Sequence, residues 1–269
     1  MDLDEIKVAV LRIEGTNCED ETVRAFKCLG VHAEPVHLKQ FYSDTVKERE
    51  QRSLFDYHCL VIPGGFSAGD YVRAGAILSA RIKSVLRRDL EMFIKEGYPI
   101  LGICNGFQVL VELGALPGFD EDKPITETPE MTLTVNRSAR FECRPTLLKH
   151  ENSCVFTDLL EIGSIVMFPV AHAEGRVVFP KEREEEILSM LIENRQIVFR
   201  YVDEDGNYAD YPWNPNGSIY NIAGICNVRR NVFGLMPHPE RVFWDYRSGK
   251  YGDGAVVFRS VIDYLKKNF

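Results

Sequence analysis

Short apolar runs alternate with segments of helical spacing through the first half of the chain. The runs of strand length are KVAVLRI, HAEPVHL, CLVIPGG and PILGI. The segments with helical spacing are ETVRAFKCLG, RAGAILSA, VLRRDLEMFIKEG and NGFQVLVELGAL. Short apolar strands that alternate with helices predict βαβ units and a parallel sheet.

The second half of the chain is richer in strand-like runs, which polar turns separate. These runs are MTLTVN, ARFECRPTLLK, SIVMFPVAH, GRVVFP, QIVFRYVD, SIYNIAGICNV and NVFGLMPH. Helices are predicted in PKEREEEILSMLIENRQ and in the amphipathic last segment, AVVFRSVIDYLKK. The pair Asn216-Gly217 marks a tight turn. Because there are no repeats and no low-complexity linker, we expect residues 1–269 to form a single domain. Its fold is predicted as a three-layer α/β core, an open and mainly parallel sheet flanked by helices, which later strands extend as an antiparallel region.

Composition and charge narrow the class of protein. The chain has 269 residues, of which 45% are hydrophobic and 27% charged, as is ordinary for a globular protein. A net charge of −8 argues against a nucleic-acid-binding surface. The seven cysteines are odd in number and include no CxxC pair, which favours free thiols in a reducing compartment. The first apolar run is short and contains Lys7, so it indicates a strand and not a signal peptide, and no run is long enough for a membrane helix. The expected location is the cytoplasm, with no membrane or nucleic acid as partner.

The letters GICN occur twice, at 102–105 and at 224–227, with a cysteine third in each. Around Cys104 the pattern is Gly-x-Cys-x-Gly, between an apolar strand and a helix. Nucleophiles of open α/β sheets often lie on such a sharp turn, where glycines two residues to either side permit close packing. The N-terminus of the following helix would also favour a thiolate. We therefore expect Cys104 to be an exposed nucleophile, although a buried core thiol is the alternative.

The second cysteine, Cys226, lacks this context. Val228 stands where the second glycine would be, and another strand follows the turn at 229–231. These residues predict a hairpin in which Cys226 is a small buried side chain.

A thiol nucleophile needs a base, because an ordinary thiol has a pKa of about 8.5. Among the six histidines, only His238 lies in a short cluster that combines a carboxylate with rigid backbone, in the sequence PHPE. The prolines favour an extended chain, in which residues i and i+2 point to the same side. Glu240 could then hold the imidazole in one tautomer, as in other triads. A surface turn is the alternative for PHPE taken alone.

The sequence PGGFS at 63–67 follows the strand CLVI. Open α/β sheets bind substrates at the carboxyl ends of their strands. We hypothesise that the N–H groups of Gly65 and Asn105 stabilise the oxyanion of a tetrahedral intermediate, although a plain turn is the simpler reading of PGG. No GxxxxGK[ST] loop is present, so the sequence gives no evidence that this chain binds ATP.

Several longer motifs resemble those of the class I (triad) glutamine amidotransferases. The likeness is carried by GGFSAGDYVRAGAI, GICNGFQVLVELGALPG, AHAEGR, NPNGSIYNIAGICN and MPHPER. The Cys–Gly–Gln elbow and PHPE mark the broad class, whose fold is flavodoxin-like. CNGFQ, RAGA and NPNGSIYNIAGICN resemble more narrowly the glutaminase subunits of phosphoribosylformylglycinamidine synthase.

The resemblance implies a chemistry and a set of partners. Cys104 would attack the side-chain amide of L-glutamine and release ammonia, and water would hydrolyse the resulting thioester to glutamate. His238 would be the base and acid, Glu240 would orient it, Gly65 and Asn105 would form the oxyanion hole, and Gln108 would help to place the substrate. Ammonia would pass to a large synthetase subunit that binds ATP and Mg²⁺, with a small bridging subunit in the complex. No cofactor or metal is expected on this chain.

Some features depart from the family pattern. Ala68 replaces a common tyrosine, Ala173 replaces the glycine of AHGEG, and the segment 41–58 is long. The motif residues His172 and Glu174 could belong to a substrate-side or partner-facing loop, or could be structural. Two other functions stay open: a cysteine-elbow hydrolase of the DJ-1/PfpI type or one acting on small esters, and an inactive regulatory subunit.

Overall fold

The computed structural model describes residues 1–269 and contains thirteen strands and five α-helices. The strands are β1 (Lys7–Arg12), β2 (His32–His37), β3 (Cys59–Ile62), β4 (Ile100–Ile103), β5 (Thr132–Val135), β6 (Glu142–His150), β7 (Ile165–His172), β8 (Glu174–Val178), β9 (Ile197–Val202), β10 (Ile222–Cys226), β11 (Val232–Leu235), β12 (Trp244–Asp245) and β13 (Lys250–Tyr251). The helices are α1 (Glu19–Cys28), α2 (Ala76–Lys95), α3 (Asn105–Leu113), α4 (Glu184–Glu193) and α5 (Ala255–Asn268).

Nine strands form one mixed sheet in the order β2-β1-β3-β4-β11-β10-β9-β6-β7. The strands from β2 to β11 in this order are parallel to one another. The strands from β10 to β7 are added in antiparallel fashion. The predicted parallel core with an antiparallel extension is therefore present, and strands from both halves of the chain share one sheet.

Two details of the predicted elements are wrong. RAGAILSA and VLRRDLEMFIKEG form the single helix α2, because no glycine or proline interrupts residues 76–95 and one buried stripe runs through them. NVFGLMPH supplies β11, which pairs antiparallel with β10 but also joins the parallel core. On its other side it lies beside β4 in parallel register, where Gly234 pairs with Gly102. The runs MTLTVN and GRVVFP do form strands, but β5 and β8 pair in a separate small sheet.

The helices cover the sheet with apolar side chains. Helix α1 packs against α5, where the rings of Phe26 and Phe258 meet edge to face with centroids 5.1 Å apart. Helix α2 packs against α3, all but one of whose residues are buried. These contacts belong to one continuous apolar core that includes the middle residues of β1, β3, β4 and β11. Burial on this scale is the main favourable term in folding and holds the strand ends in place.

The parallel strands bring four segments to one edge of the sheet. Strands β1, β3, β4 and β11 run in the same direction, so their carboxyl ends lie together. Cys18 follows β1, Gly64 follows β3, Cys104 follows β4 and His238 follows β11. Ligand sites of open α/β sheets occur at this edge.

The long segment 41–58 lies beside the edge strand β2. Arg52 Nε bonds Glu34 Oε1 at 3.0 Å, and the Tyr57 hydroxyl donates to the same oxygen at 2.5 Å. The sheet order places β2 three strands away from β4. The segment therefore covers the sheet edge and is remote from Cys104.

None of the helices has both the length and the hydrophobicity of a membrane-spanning segment.

Candidate active site

The elbow between β4 and α3 places Cys104 in a strained conformation. Its φ is +51° and its ψ is −105°, and its N–H donates to Leu235 of β11 at 2.8 Å. A Cβ added to Gly106 would lie 1.8 Å from the carbonyl oxygen of Ile62, and one added to Gly102 would lie 2.6 Å from that of Gly106. The two glycines are therefore required by close approach of the backbone, as the Gly-x-Cys-x-Gly pattern predicts.

Cys104 lines a cavity of about 540 Å³ at the carboxyl edge of the sheet, here called the Cys104 cavity. The expectation that this sulfur is exposed is wrong, because only 4% of the residue is accessible. Helix α3 and the strand β7 enclose it, and its Sγ lies 3.7 Å from the carbonyl oxygen of Ala171. A substrate must therefore enter the cavity to reach the thiol.

Glu240 meets His238 in the segment that follows β11. The His238 backbone is extended and its N–H donates to Pro169 at 2.8 Å. The chain does not stay extended, however, because a 3-10 turn spans Pro239–Val242. Proline suits the first position of a helix, since its φ is fixed and its missing N–H is not needed there. The turn still brings the carboxylate to the ring, with Glu240 Oε1 2.5 Å from His238 Nδ1.

The electrostatics of this buried pair make the His238 imidazole a stronger base than an ordinary imidazole. Burial alone lowers the pKa of His238, but the Glu240 carboxylate and the Cys104 sulfur raise it more, to well above its ordinary value. Both side chains of the pair are almost inaccessible. Nε2 of His238 has no hydrogen-bond partner in the protein, so this nitrogen is free to exchange a proton with a nearby group.

Gly65 and Asn105 keep their N–H groups without protein acceptors. Gly65 adopts φ +136° and lines the Cys104 cavity, and Asn105 is the first residue of α3. The Asn105 side chain connects the neighbouring loops, because its oxygen accepts from the Ser67 hydroxyl at 2.6 Å and its amide donates to Asp70 and to Gln108. Free donors at a helix N-terminus and after a strand are what an oxyanion requires.

Gln108 and the motif residues of AHAEG lie on the other side of the cavity. Gln108 Nε2 donates to the Glu174 carbonyl at 2.5 Å. His172 is buried, and its Nδ1 is 3.1 Å from Asn136 Oδ1. Both His172 and Glu174 line the Cys104 cavity, as does Ala173. A role of this motif at the substrate side of the cavity is therefore favoured over a purely structural role.

The NPNGS segment (214–218) does not line the cavity but forms hydrogen bonds to β8, which follows the AHAEG motif. Ser218 Oγ accepts from Val177 N–H at 3.0 Å and bonds the Gly175 carbonyl oxygen, so it fixes β8. Asn214 and Asn216 in turn accept hydrogen bonds from the Ser218 N–H. This buried polar network explains why the motif is needed beside a site that it does not line.

Comparison with known proteins places these residues in a family. A model of CobB/CobQ-like glutamine amidotransferase domains matches residues 5–264. The PurQ subunit of phosphoribosylformylglycinamidine synthase from Archaeoglobus fulgidus is 71% identical to this chain, covering 99% of the chain and 100% of the relative. The PurQ subunit from Picrophilus torridus is 47% identical, covering 96% and 98%.

The chain belongs to the PurQ family. A chain of the solved structure of PurLQS from Thermotoga maritima has the same fold, with a TM-score of 0.71 and 32% identity. The match covers 97% of this chain and 99% of that one. The predicted resemblance and the predicted fold class are both confirmed.

Cys226 is not part of the site. It is fully buried in β10 of the sheet, where it pairs with Phe233 of β11. Burial raises the pKa of this thiol well above its ordinary value, so it is unsuited to act as a nucleophile. The structure agrees with the predicted hairpin.

The sequence did not point to Cys18, Asp70 or Arg241, which also line the Cys104 cavity. Cys18 Sγ accepts a hydrogen bond from Arg241 at 3.3 Å, and burial raises the pKa of the Cys18 thiol. Donor atoms of Cys18, His238 and Glu240 lie within 4.8 Å of one another, as metal ligands would, but the His238–Glu240 hydrogen bond already uses two of them. The available signal was the position of Cys18 just after the first strand, at the edge where ligands bind.

Gly64 leaves room for the imidazole, and its replacement should impair catalysis. A Cβ at Gly64 would lie 2.7 Å from Cε1 of His238 and 3.2 Å from Sγ of Cys18. In Gly64→Ala we expect the ring to move, and a shift of about 1 Å can cost roughly 10²-fold in kcat. Glutaminase kcat and the thermal unfolding midpoint check this.

Gly163→Ala is the matched control, since Gly163 has a left-handed φ but no atom within 4 Å of an added Cβ. That variant should keep its kcat even if backbone strain lowers its stability. An unchanged kcat in Gly64→Ala would show that the imidazole does not need its present position.

Proposed function

We propose that this chain is the glutaminase subunit of phosphoribosylformylglycinamidine synthase, a glutamine amidotransferase that hydrolyses L-glutamine and supplies ammonia. The ammonia serves the ATP-dependent conversion of formylglycinamide ribonucleotide to formylglycinamidine ribonucleotide in purine biosynthesis. The observation that carries the proposal is the strained Cys104 elbow in one cavity with the buried His238–Glu240 pair. The activity is that of the PurQ family, to which the chain belongs.

In the first half-reaction, Cys104 attacks the side-chain amide carbon of glutamine. The thiol turns from the Ala171 carbonyl and gives its proton to Nε2 of His238, which has no other partner. The oxyanion accepts hydrogen bonds from the N–H groups of Gly65 and Asn105. His238 then returns the proton to the leaving nitrogen, so that ammonia departs and a γ-glutamyl thioester remains on Cys104.

In the second half-reaction, His238 removes a proton from water as the water attacks the thioester carbon. The tetrahedral oxyanion again lies at Gly65 and Asn105. Its collapse breaks the C–S bond, releases glutamate and returns the proton to the Cys104 sulfur. Glu240 holds Nδ1 of the imidazole throughout and stabilises the imidazolium. Gln108, fixed by Asn105 and by the Glu174 carbonyl, helps to place the substrate.

We propose a large synthetase subunit and a small bridging subunit as partners, with ATP and Mg²⁺ bound by the synthetase. The solved PurLQS structure, which contains a chain of the same fold, supports such a complex. The glutaminase steps use only side chains and backbone groups of this chain, so we propose that it carries no cofactor or metal of its own. Seven free thiols fit a reducing cytoplasm.

A glutaminase assay with and without the synthetase and bridging subunits tests the proposal. Ammonia release that rises in the complex, together with glutamine-dependent synthesis of the amidine product, is the expected result. Assembly without ammonia release would indicate an inactive regulatory subunit. Hydrolysis of small esters without glutaminase activity would indicate a different cysteine-elbow hydrolase.

A further inference from the structure

Three buried side chains around the imidazole have the ligand set of a zinc site. The Cys18 sulfur, a ring nitrogen of His238 and a carboxylate oxygen of Glu240 lie within 4.8 Å of one another. Thiolate, imidazole and carboxylate are the groups by which proteins hold Zn²⁺, whereas Mg²⁺ and Ca²⁺ prefer oxygen ligands alone. Two ligands on one tetrahedral zinc ion lie roughly 3.3–3.8 Å apart, so small side-chain rotations are enough to close this cluster around an ion.

The fold holds these ligands around an open point beside Gly64. The Cys18 N–H donates to the Gly64 carbonyl at 3.3 Å, which fixes the residue next to the strand end of β3. A Cβ added to Gly64 would lie 3.2 Å from Cys18 Sγ and 3.4 Å from His238 Nδ1. On the other side of Nδ1 lies Glu240 Oε1, at 2.5 Å. The sulfur and the carboxylate therefore both approach Nδ1, which makes this nitrogen the ring ligand.

Glu240 has a buried oxygen that nothing in the protein satisfies. Its Oε1 is bonded to the His238 ring, but its Oε2 is inaccessible and has no hydrogen-bond partner. A buried carboxylate oxygen without a donor costs free energy, and a cation beside it removes that cost. This oxygen is a second feature, independent of the cysteine, that points to a positively charged ligand.

The charges of the cluster suit a divalent ion. The Glu240 carboxylate and a Cys18 thiolate together balance the two charges of Zn²⁺. Burial raises the pKa of the Cys18 thiol, so the ion must displace its proton, as metal ions do at other cysteine ligands. Arg241 also donates to this sulfur, but its Nε donates to Glu21 at 3.2 Å. The guanidinium thus keeps a partner when the sulfur turns to a metal ion.

We propose that Cys18, Nδ1 of His238 and Glu240 form an inhibitory site for Zn²⁺. This inference rests on the proposed function, because it concerns the same imidazole, and the ion takes no part in the glutaminase steps. Zn²⁺ replaces the proton between Nδ1 and Glu240, the thiol proton of Cys18 leaves to solvent, and the ring carries its proton on Nε2. A protonated Nε2 cannot take the proton of Cys104, so the first half-reaction stops. The ion reaches the site through the Cys104 cavity, which Cys18 and His238 line.

Cobalt(II) is the probe for binding, because it occupies zinc sites and a cobalt–thiolate bond absorbs strongly in the near ultraviolet. The full-length chain should bind one Co²⁺ with this band, and Zn²⁺ should displace it. Cys18→Ala should lose the band and bind Zn²⁺ at least about 10²-fold more weakly, since loss of an outer partner alone costs roughly 10- to 100-fold. Cys104→Ala should keep the band. Cys143→Ala is the matched control, because this thiol lines the same cavity but is exposed and outside the cluster.

Ammonia release by the assembled complex shows whether the bound ion inhibits. Zn²⁺ that saturates the site should stop ammonia release by the wild type and by Cys143→Ala, and a chelator should restore it. Cys18→Ala should retain its activity at the same Zn²⁺ concentration. Glu240→Gln tests the site through a second ligand and should also weaken Zn²⁺ binding. Glu185→Gln, on the exposed face of α4, should not.

A cobalt band that persists in Cys18→Ala, or that disappears in Cys104→Ala, would place the metal on the nucleophile and overturn the site. Zn²⁺ binding that is unchanged in Glu240→Gln would overturn it as well. The band is read without turnover, so an active wild type that binds neither ion would count against this inference alone. A metal-free wild-type complex without glutaminase activity would count against the proposed function instead.

Discussion

Cys104→Ala should abolish ammonia release from glutamine, with a fall in kcat on the order of 10⁴-fold or more, as for other catalytic nucleophiles. Alanine removes the sulfur that forms the thioester in the proposed mechanism, while the elbow backbone and the cavity stay in place. Ammonia release by the complex is the measurement. Synthesis of the amidine product from added ammonium salts should continue, because that step belongs to the synthetase.

Two other cysteines supply matched controls. Cys226→Ala should retain glutaminase activity, since that side chain is buried in β10. Cys18→Ala should retain the bulk of it, because Cys18 contacts the imidazole but forms no bond to substrate in the proposed mechanism. Activity that survives Cys104→Ala and is lost in Cys226→Ala would reverse the assignment.

His238→Ala should lower kcat by about 10²-fold or more, the usual contribution of a general acid–base group. In the proposed mechanism the imidazole takes the thiol proton and returns it to the departing ammonia. His172 cannot substitute, because burial lowers the pKa of its ring to about 3, which makes it a weak base, and its Nδ1 is held by Asn136. Steady-state kcat of the complex checks this, and an unchanged rate would remove His238 from the mechanism.

A related prediction concerns Glu240, the hydrogen-bond partner of the imidazole. Glu240 raises the pKa of His238 against the lowering effect of burial. In Glu240→Gln the burial effect remains and the carboxylate is gone, so the pKa of His238 should fall. A titration of the His238 ring by NMR measures the shift directly. A pKa that stays in place would show that Glu240 does not act on the ring.

Local patterns were sufficient to predict the central part of the fold. The four runs that became β1, β2, β3 and β4 are short and apolar, and helical segments follow the runs of β1, β3 and β4, a pattern that favours a parallel sheet. The elbow was also predictable, since Gly102 and Gly106 are dictated by contacts of a few ångströms. Cys104 was thus predicted from a motif of five residues, although the contact that requires Gly106 is made with Ile62 of β3.

Pairing between distant strands was harder to predict. The run NVFGLMPH has the same apolar character whether it joins a parallel or an antiparallel neighbour, and the structure inserts it beside β4. For the same reason the sequence did not show that β5 and β8 leave the main sheet. The two-residue strands β12 and β13 were not predicted, because so short a pair has no periodicity.

For the candidate site too, residues with a local sequence signal were predicted and residues brought together only by the fold were missed. His238 and Glu240 were predicted from their neighbourhood in sequence, and the structure joins them at 2.5 Å by a turn that the two prolines were expected to prevent. Asp70 and Cys18 were missed, because their relation to Cys104 arises only when strand ends converge at one edge. The burial of Cys104 was missed as well, since Ala171 of the strand β7 that covers it lies 67 residues further along the chain.

Labelling with a diazoketone analogue of glutamine tests the central claim most directly, because the thiolate that attacks the substrate displaces nitrogen from this reagent. Three thiols line the cavity, those of Cys18, Cys104 and Cys143, so the position of the label decides among them. Peptide mass spectrometry of the treated complex should find one adduct, on Cys104, and saturating glutamine should prevent it. An adduct on Cys18 or Cys143 with Cys104 unmodified would contradict the account.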